Sequence, residues 1–206
     1  MAEEVTAQAE FPWAKLGTDW KQVKGTGKVI ASGMLAEERC AVSSIHVAHG
    51  VRYFMFNINT SALPDGHMFL GVAAFNGGST DFQAPCKTWA FNPPTGNLYI
   101  GEKIDEHGSE QMKKHFFADK DESLLDRMPG STCLAKVDMD AKTLEFSING
   151  NEFIDAGVTL PDEGVRPFCF LYHENDSITL TEVDASGFGS GGVSRPSTAG
   201  TDSGIA

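Results

Sequence analysis

Basic residues are scarce in this chain of 206 residues: 16 Lys and Arg stand against 28 Asp and Glu, a net charge of −12. Phosphate recognition needs clustered Lys and Arg, so this balance argues against a nucleic-acid partner. It argues equally against binding to an anionic membrane surface. Long apolar runs are also missing. None approaches the roughly 18 residues that a membrane-spanning helix requires. The first ten residues, MAEEVTAQAE, carry neither a basic stretch nor an apolar one, so no secretory signal is expected. Cysteine is sparse and dispersed. Cys40, Cys86, Cys133 and Cys169 form no C-x-x-C pair and are expected to be reduced thiols in a cytoplasmic protein.

Reactive constellations are lacking too. Lys24-Gly25-Thr26-Gly27-Lys28-Val29 resembles a phosphate loop in composition only. Its glycines lack the four-residue spacer, and Val29 follows the lysine where a hydroxyl would hold Mg²⁺. A glycine turn leading into a strand is the expectation there. His46 and His49 would point to opposite faces of a strand, so no metal site is expected. No Gly-x-Ser-x-Gly elbow occurs. Asp138 and Asp140 share one face of an alternating strand. The Glu-x-Asp-x-Glu arrangement of sandwich-fold glucanases is not formed around them, so a solvated strand face and a turn entry are expected instead. No enzyme activity and no cofactor are expected.

What the chain does contain is strand. Phe54, Phe56 and Ile58 fall on one face of the segment 52–58. Residues 68–75 are almost continuously apolar, as in a strand covered on both sides. Cys133, Ala135, Val137 and Met139 alternate with polar neighbours, and so do Leu144, Phe146 and Ile148. Asn149-Gly150 then supplies a type I′ hairpin signal. Residues 165–172 form another apolar run. A polar turn at 173–176 leads into Ser177-Ile178-Thr179-Leu180-Thr181. Strands at this spacing predict a two-sheet sandwich. The charged stretch 102–129 interrupts the pattern. A short helix is expected within it, capped by Asp119 with Glu122 in the capping-box position and striped by Leu124, Leu125 and Met128. Residues 1–10 and the Gly/Ser-rich 185–206 read as flexible tails, leaving one domain at 11–184.

Gly130-Ser131-Thr132-Cys133-Leu134-Ala135-Lys136-Val137-Asp138, followed by Thr143-Leu144-Glu145-Phe146-Ser147-Ile148-Asn149-Gly150, resembles the SPRY domain family. Tyr53-Phe54-Met55-Phe56, Gly71-Val72-Ala73, Trp89-Ala90-Phe91 and Val165-Arg166-Pro167-Phe168 look like further segments of that family, in its order. Ser131 stands where the family usually has Asp. The resemblance implies an all-β fold: a bent, antiparallel two-sheet jelly-roll sandwich of the concanavalin A-like, SPRY type, here with the charged, partly helical insertion at 102–129. It also implies non-catalytic recognition of a partner protein or peptide through loops at one end of the sandwich. By motif position those loops carry Glu38 and Arg39, then Asp81, Phe82 and Gln83, then Tyr172 and His173. Membership of a larger cytoskeletal or ciliary assembly is a further expectation. The fold class also hosts lectins, so a carbohydrate-binding module is the alternative, with a glycoside hydrolase behind it.

Deleting residues 186–206 is expected to leave the melting midpoint of the domain unchanged, because such a segment buries too little apolar surface to contribute to folding. A large drop in a thermal melt of the shortened chain would show that the tail packs on the domain.

Overall fold

In the computed structural model of the chain, the described residues are 13–15, 20–24, 26–31, 40–61, 68–74, 87–93, 96–101, 111–113 and 129–184. They form β1 (Trp13–Lys15), β2 (Trp20–Gln22), β3 (Lys28–Ala31), β4 (Cys40–Ser43), β5 (Val51–Thr60), β6 (Met68–Ala74) and β7 (Thr88–Asn92). These are followed by β8 (Asn97–Gly101), β9 (Gln111–Lys113), β10 (Thr132–Asp138), β11 (Thr143–Ile148), β12 (Ile154–Asp155), β13 (Val165–Leu171) and β14 (Ser177–Val183). One seven-stranded sheet has the order β1-β4-β13-β6-β7-β8-β9, and the other has the order β12-β11-β10-β5-β14-β3-β2. Each of these neighbouring pairs is antiparallel. The expected all-β sandwich is therefore the fold.

Alternation in the sequence sets which side of each strand faces inward. On β5, Phe54, Phe56 and Ile58 are buried in the main core, while Tyr53, Met55 and Asn57 are half-buried on the other face. β10 and β14 flank β5 and supply Cys133, Ala135, Val137, Ile178 and Leu180 to the same core. From the opposing sheet come Leu70, Val72, Trp89, Phe91 and Leu98. The continuous apolar run of β6 has its cause in a second cluster. Phe69 and Ala73, with Tyr99, Phe168 and Phe170, are buried on the far side of that sheet. Phe69 makes edge-to-face contacts with Tyr99 at 4.6 Å and with Phe170 at 5.6 Å between ring centroids.

Two backbone details set the sheet geometry. Gly71 faces Ala90 across the β6–β7 ladder, and a Cβ there would lie 2.1 Å from the carbonyl oxygen of Trp89. Pro167 sits inside β13, where a proline removes a ladder donor. The Val165 amide on the same edge donates to Val47 at 3.0 Å, and pairing with β4 resumes only at Phe168. Pro167 therefore occupies the interruption in that ladder.

The Asn149-Gly150 turn forms as expected. Its residues have φ of 52° and 75°, and the Asn151 amide donates to the carbonyl of Ile148. The strand at residues 132–140 is shorter than its alternation suggests. β10 ends at Asp138, so Asp138 and Asp140 do not share a strand face. Met139 nevertheless stays buried, its amide bonded to the Gly50 carbonyl. Within the charged stretch 102–129, Gln111–Lys113 is a strand paired with β8. The helix expected around Asp119 and both expected tails lie outside the described residues.

Phe146→Ala is expected to cost about 3–5 kcal/mol of stability, as truncation of a fully buried aromatic does. Gly71→Ala adds only a methyl group, yet it is expected to cost about 1–3 kcal/mol because a backbone carbonyl occupies the space. Urea unfolding of the two variants measures both. A wild-type midpoint for Phe146→Ala would remove that ring from the core.

Candidate functional site

The β13–β14 loop is the part of the expected binding end that can be built atom by atom. Tyr172 and His173 follow the last residue of β13, and both are half-buried. The Tyr172 ring packs against the aromatic cluster on the far side of its sheet and meets the His173 ring edge-on at 4.9 Å. Asp176 holds the loop shut. Its side chain is buried and accepts the His173 amide at 3.1 Å, while its own amide donates to the His173 carbonyl. Asn175 takes up φ of 70°, a conformation that asparagine tolerates better than most residues.

The loop is also tied to two strands. The Asn175 amide donates to the Ala31 carbonyl at 2.7 Å, and the Ala31 amide donates to the Asp176 carbonyl at 2.9 Å. The Thr60 hydroxyl donates to the Asn175 carbonyl at 2.5 Å and lies 2.7 Å from the Ser177 hydroxyl. Glu174 and Asn175 are left exposed at the tip. A loop fixed at this many points presents its side chains with little entropy left to lose on binding.

The other expected contact residues, Glu38, Arg39, Asp81, Phe82 and Gln83, lie outside the described residues. The strands they join place their anchors. Cys40, the residue after Arg39, pairs with Phe170, two residues before Tyr172. The segment carrying Asp81, Phe82 and Gln83 leaves after Ala74 and returns at Lys87. The Ala74 amide bonds to the Lys87 carbonyl, and Ala74 pairs with Val165. Those anchors stand at the opposite end of β13 from Tyr172.

Groups that might have suggested catalysis serve the backbone. One carboxylate oxygen of Asp138 accepts the amides of Asp140 at 3.0 Å and Ala141 at 2.8 Å. Asp140 accepts the Gly50 amide at 3.0 Å. Together they close the β10–β11 connection and tie it to the start of β5. His46 makes a 2.7 Å hydrogen bond to the Glu163 carbonyl. Among the described residues, no three His, Cys, Asp or Glu side chains gather where they could hold a metal. Lys24, Thr26 and Gly27 lie in the turn of the β2–β3 hairpin, with the Thr26 amide and hydroxyl both donating to the Val23 carbonyl. Cys40, Cys133 and Cys169 are free thiols. Burial pushes the Cys133 and Cys169 thiols well above their ordinary pKa, so neither is a ready nucleophile.

No family model and no curated protein sequence matches the chain. Solved structures do match in fold. The SPRY domain of human HERC1 is similar with a TM-score of 0.53 at 18% identity, covering 81% of this chain and 95% of that one. The PSpry domain of TRIM65 gives a TM-score of 0.53 at 11% identity, covering 83% and 91%. A human SPRY domain gives 0.51 at 16% identity, covering 78% and 95%. The sandwich is therefore the SPRY fold, as the ordered motifs of the sequence implied.

Asp176→Ala is expected to cost about 1–3 kcal/mol, because it leaves a buried amide of the loop without its acceptor. Asp138→Asn keeps an acceptor oxygen and is expected to cost less than about 1 kcal/mol. Thermal melts of the two variants check the order. A larger loss in Asp138→Asn than in Asp176→Ala would contradict these roles.

Proposed function

We propose that this SPRY-fold sandwich is a non-catalytic interaction module that recognises a partner protein or peptide at the Tyr172 end. The observation that carries the reading is the β13–β14 loop, pinned by Asp176, Asn175 and Thr60 so that the Tyr172–His173 ring pair is held in place. Tyrosine and arginine are enriched at interface hot spots, and a rigid aromatic contributes contact area at small entropic cost. Glu38 and Arg39 belong to the same proposed surface, since the residue that follows them, Cys40, pairs with Phe170 next to the loop. Asp81, Phe82 and Gln83 form a second proposed arm, anchored at the other end of β13. The engagement of Asp138 and Asp140 with backbone amides supports the non-catalytic half of the reading. In its widest form the proposal puts the chain in the cytoplasm, within a cytoskeletal or ciliary assembly, with no cofactor.

The test is native affinity capture with three baits: the wild type, Tyr172→Ala/His173→Ala, and Phe82→Ala/Gln83→Ala. A partner recovered with the wild type is expected to bind Tyr172→Ala/His173→Ala at least roughly tenfold more weakly in a purified titration, as loss of a hot spot of 1.4 kcal/mol or more requires. Equal affinity would sink the assignment of this end. Glycan-array binding that disappears with Phe82→Ala would move the assignment to carbohydrate recognition.

A further inference from the structure

The turn between β11 and β12 places a carboxamide next to an open backbone nitrogen. Asn149 and Gly150 are both exposed. Thr132 holds Asn149 twice: the Asn149 amide donates to the Thr132 carbonyl at 2.9 Å, and the Asn149 Oδ1 accepts the Thr132 amide at 2.9 Å. The Asn149 Nδ2 lies 3.5 Å from the Ser131 hydroxyl. This side chain therefore adds a rung beyond the Cys133–Ile148 pair, where the β10–β11 ladder ends. Among the described residues, the Gly150 amide meets no acceptor. Glycine has no Cβ, so nothing screens that nitrogen from the Asn149 side chain. Every other asparagine among the described residues precedes a residue with a side chain. The second Asn-Gly of the sequence, Asn76-Gly77, lies outside the described residues.

We propose that Asn149 is a covalent modification site that deamidates through Gly150 at a rate gated by its hydrogen bond to Thr132. The Gly150 nitrogen forms a bond to Cγ of Asn149. The Cγ–Nδ2 bond breaks, and Nδ2 leaves as ammonia with the proton of the Gly150 amide. Solvent water then opens the cyclic imide at one of its two carbonyls. Opening at Cγ leaves aspartate. Opening at the main-chain carbonyl leaves isoaspartate, with the main chain routed through Cγ. The gate follows from position, because attack needs the carboxamide carbon aligned on the nitrogen. A carboxamide held by Thr132 has to let go before it can turn. That bond is exposed and ends a ladder, where local opening is easiest. The two products differ in consequence. Aspartate keeps an oxygen for the Thr132 amide. Isoaspartate lengthens the main chain by one carbon inside a tight type I′ turn and breaks the rung. Both add a carboxylate at the end of the sheet where the β13–β14 loop is anchored, since β10 starts opposite Asn57 and β5 ends at Thr60, which bonds to Asn175. The chemistry does not depend on that loop binding a partner.

The test incubates the purified full chain in neutral buffer, folded and in unfolding urea. Peptide mass spectrometry maps the exchange of NH₂ for OH at each asparagine. A methyltransferase specific for isoaspartate, supplied with a labelled methyl donor, measures that product. The expected result is conversion at Asn149 in the folded chain, about tenfold or more slower than in urea. Ile148→Ala loosens the last rung and should convert faster than the wild type in neutral buffer. If that variant does not fold, the wild type in urea below its unfolding midpoint provides the loosened state, with the same expectation. The isoaspartyl chain, separated by chromatography, should melt below Asn149→Asp, which should keep the wild-type midpoint. An unconverted Asn149 in the folded chain, long after the unfolded chain has converted, would overturn the site. So would equal conversion at asparagines that no glycine follows. Equal rates in buffer and in urea, or no acceleration in the loosened state, would overturn the gate. An isoaspartyl chain that melts with Asn149→Asp would overturn the broken rung.

Discussion

Phe91 of one sheet meets Phe146 of the other, their rings 6.0 Å apart between centroids, and the molecule is arranged around that apposition. Neither sheet has a reason to exist without the other. β5, β10 and β11 present Phe54, Phe56, Ala135, Val137, Leu144 and Phe146 to one side, and that face is stable only when covered. The opposing strands are under a stronger demand, because β6 and β13 are buried on both faces. Gly71 and Pro167 follow from it. The first admits the β7 carbonyl, and the second occupies a gap in the β4 ladder. With two faces committed, substitutions in β6 and β13 have little room to be absorbed, so functional variation falls to the loops and the outer sheet edges.

The connections are stabilised by polar side chains that bond to backbone. Asp138, Asp140 and Asp176 each accept amides in turns, and His46 binds the carbonyl of Glu163. A carboxylate spent this way satisfies an amide that would otherwise face a desolvation cost of about 1–3 kcal/mol if buried unpaired. The same kind of bonding, from Asp176, gives the Tyr172 loop its fixed shape.

The longer strands were legible because five to ten residues are enough to display a period of two, and the apolar runs of β6 and β13 announced burial on both sides. β1, β2, β4, β9 and β12 have two to four residues and show no period by themselves; they form because a neighbour offers a ladder. The end of β10 was read two residues too late for a definite reason. Met139 is buried as a strand residue would be, so alternation continues one step past the point where the ladder stops. At the β13–β14 loop, the turn after Tyr172 was legible in the sequence but its lock was not. The bond between Ala31 and Asn175 joins residues far apart in the chain, and no local pattern carries it. The β2–β3 turn was also readable, as a glycine turn leading into a strand.

Short edge strands and edge lysines usually guard a sheet against pairing with its own copies. Lys21, Lys24 and Lys28 put that guard on the β2–β3 hairpin. The four residues of β3 then separate two surfaces of different character: an aromatic loop fixed by hydrogen bonds at one end, and a basic hairpin at the other. With a core that tolerates little change, the loop at the far end of β3 is where side chains can vary without disturbing either sheet.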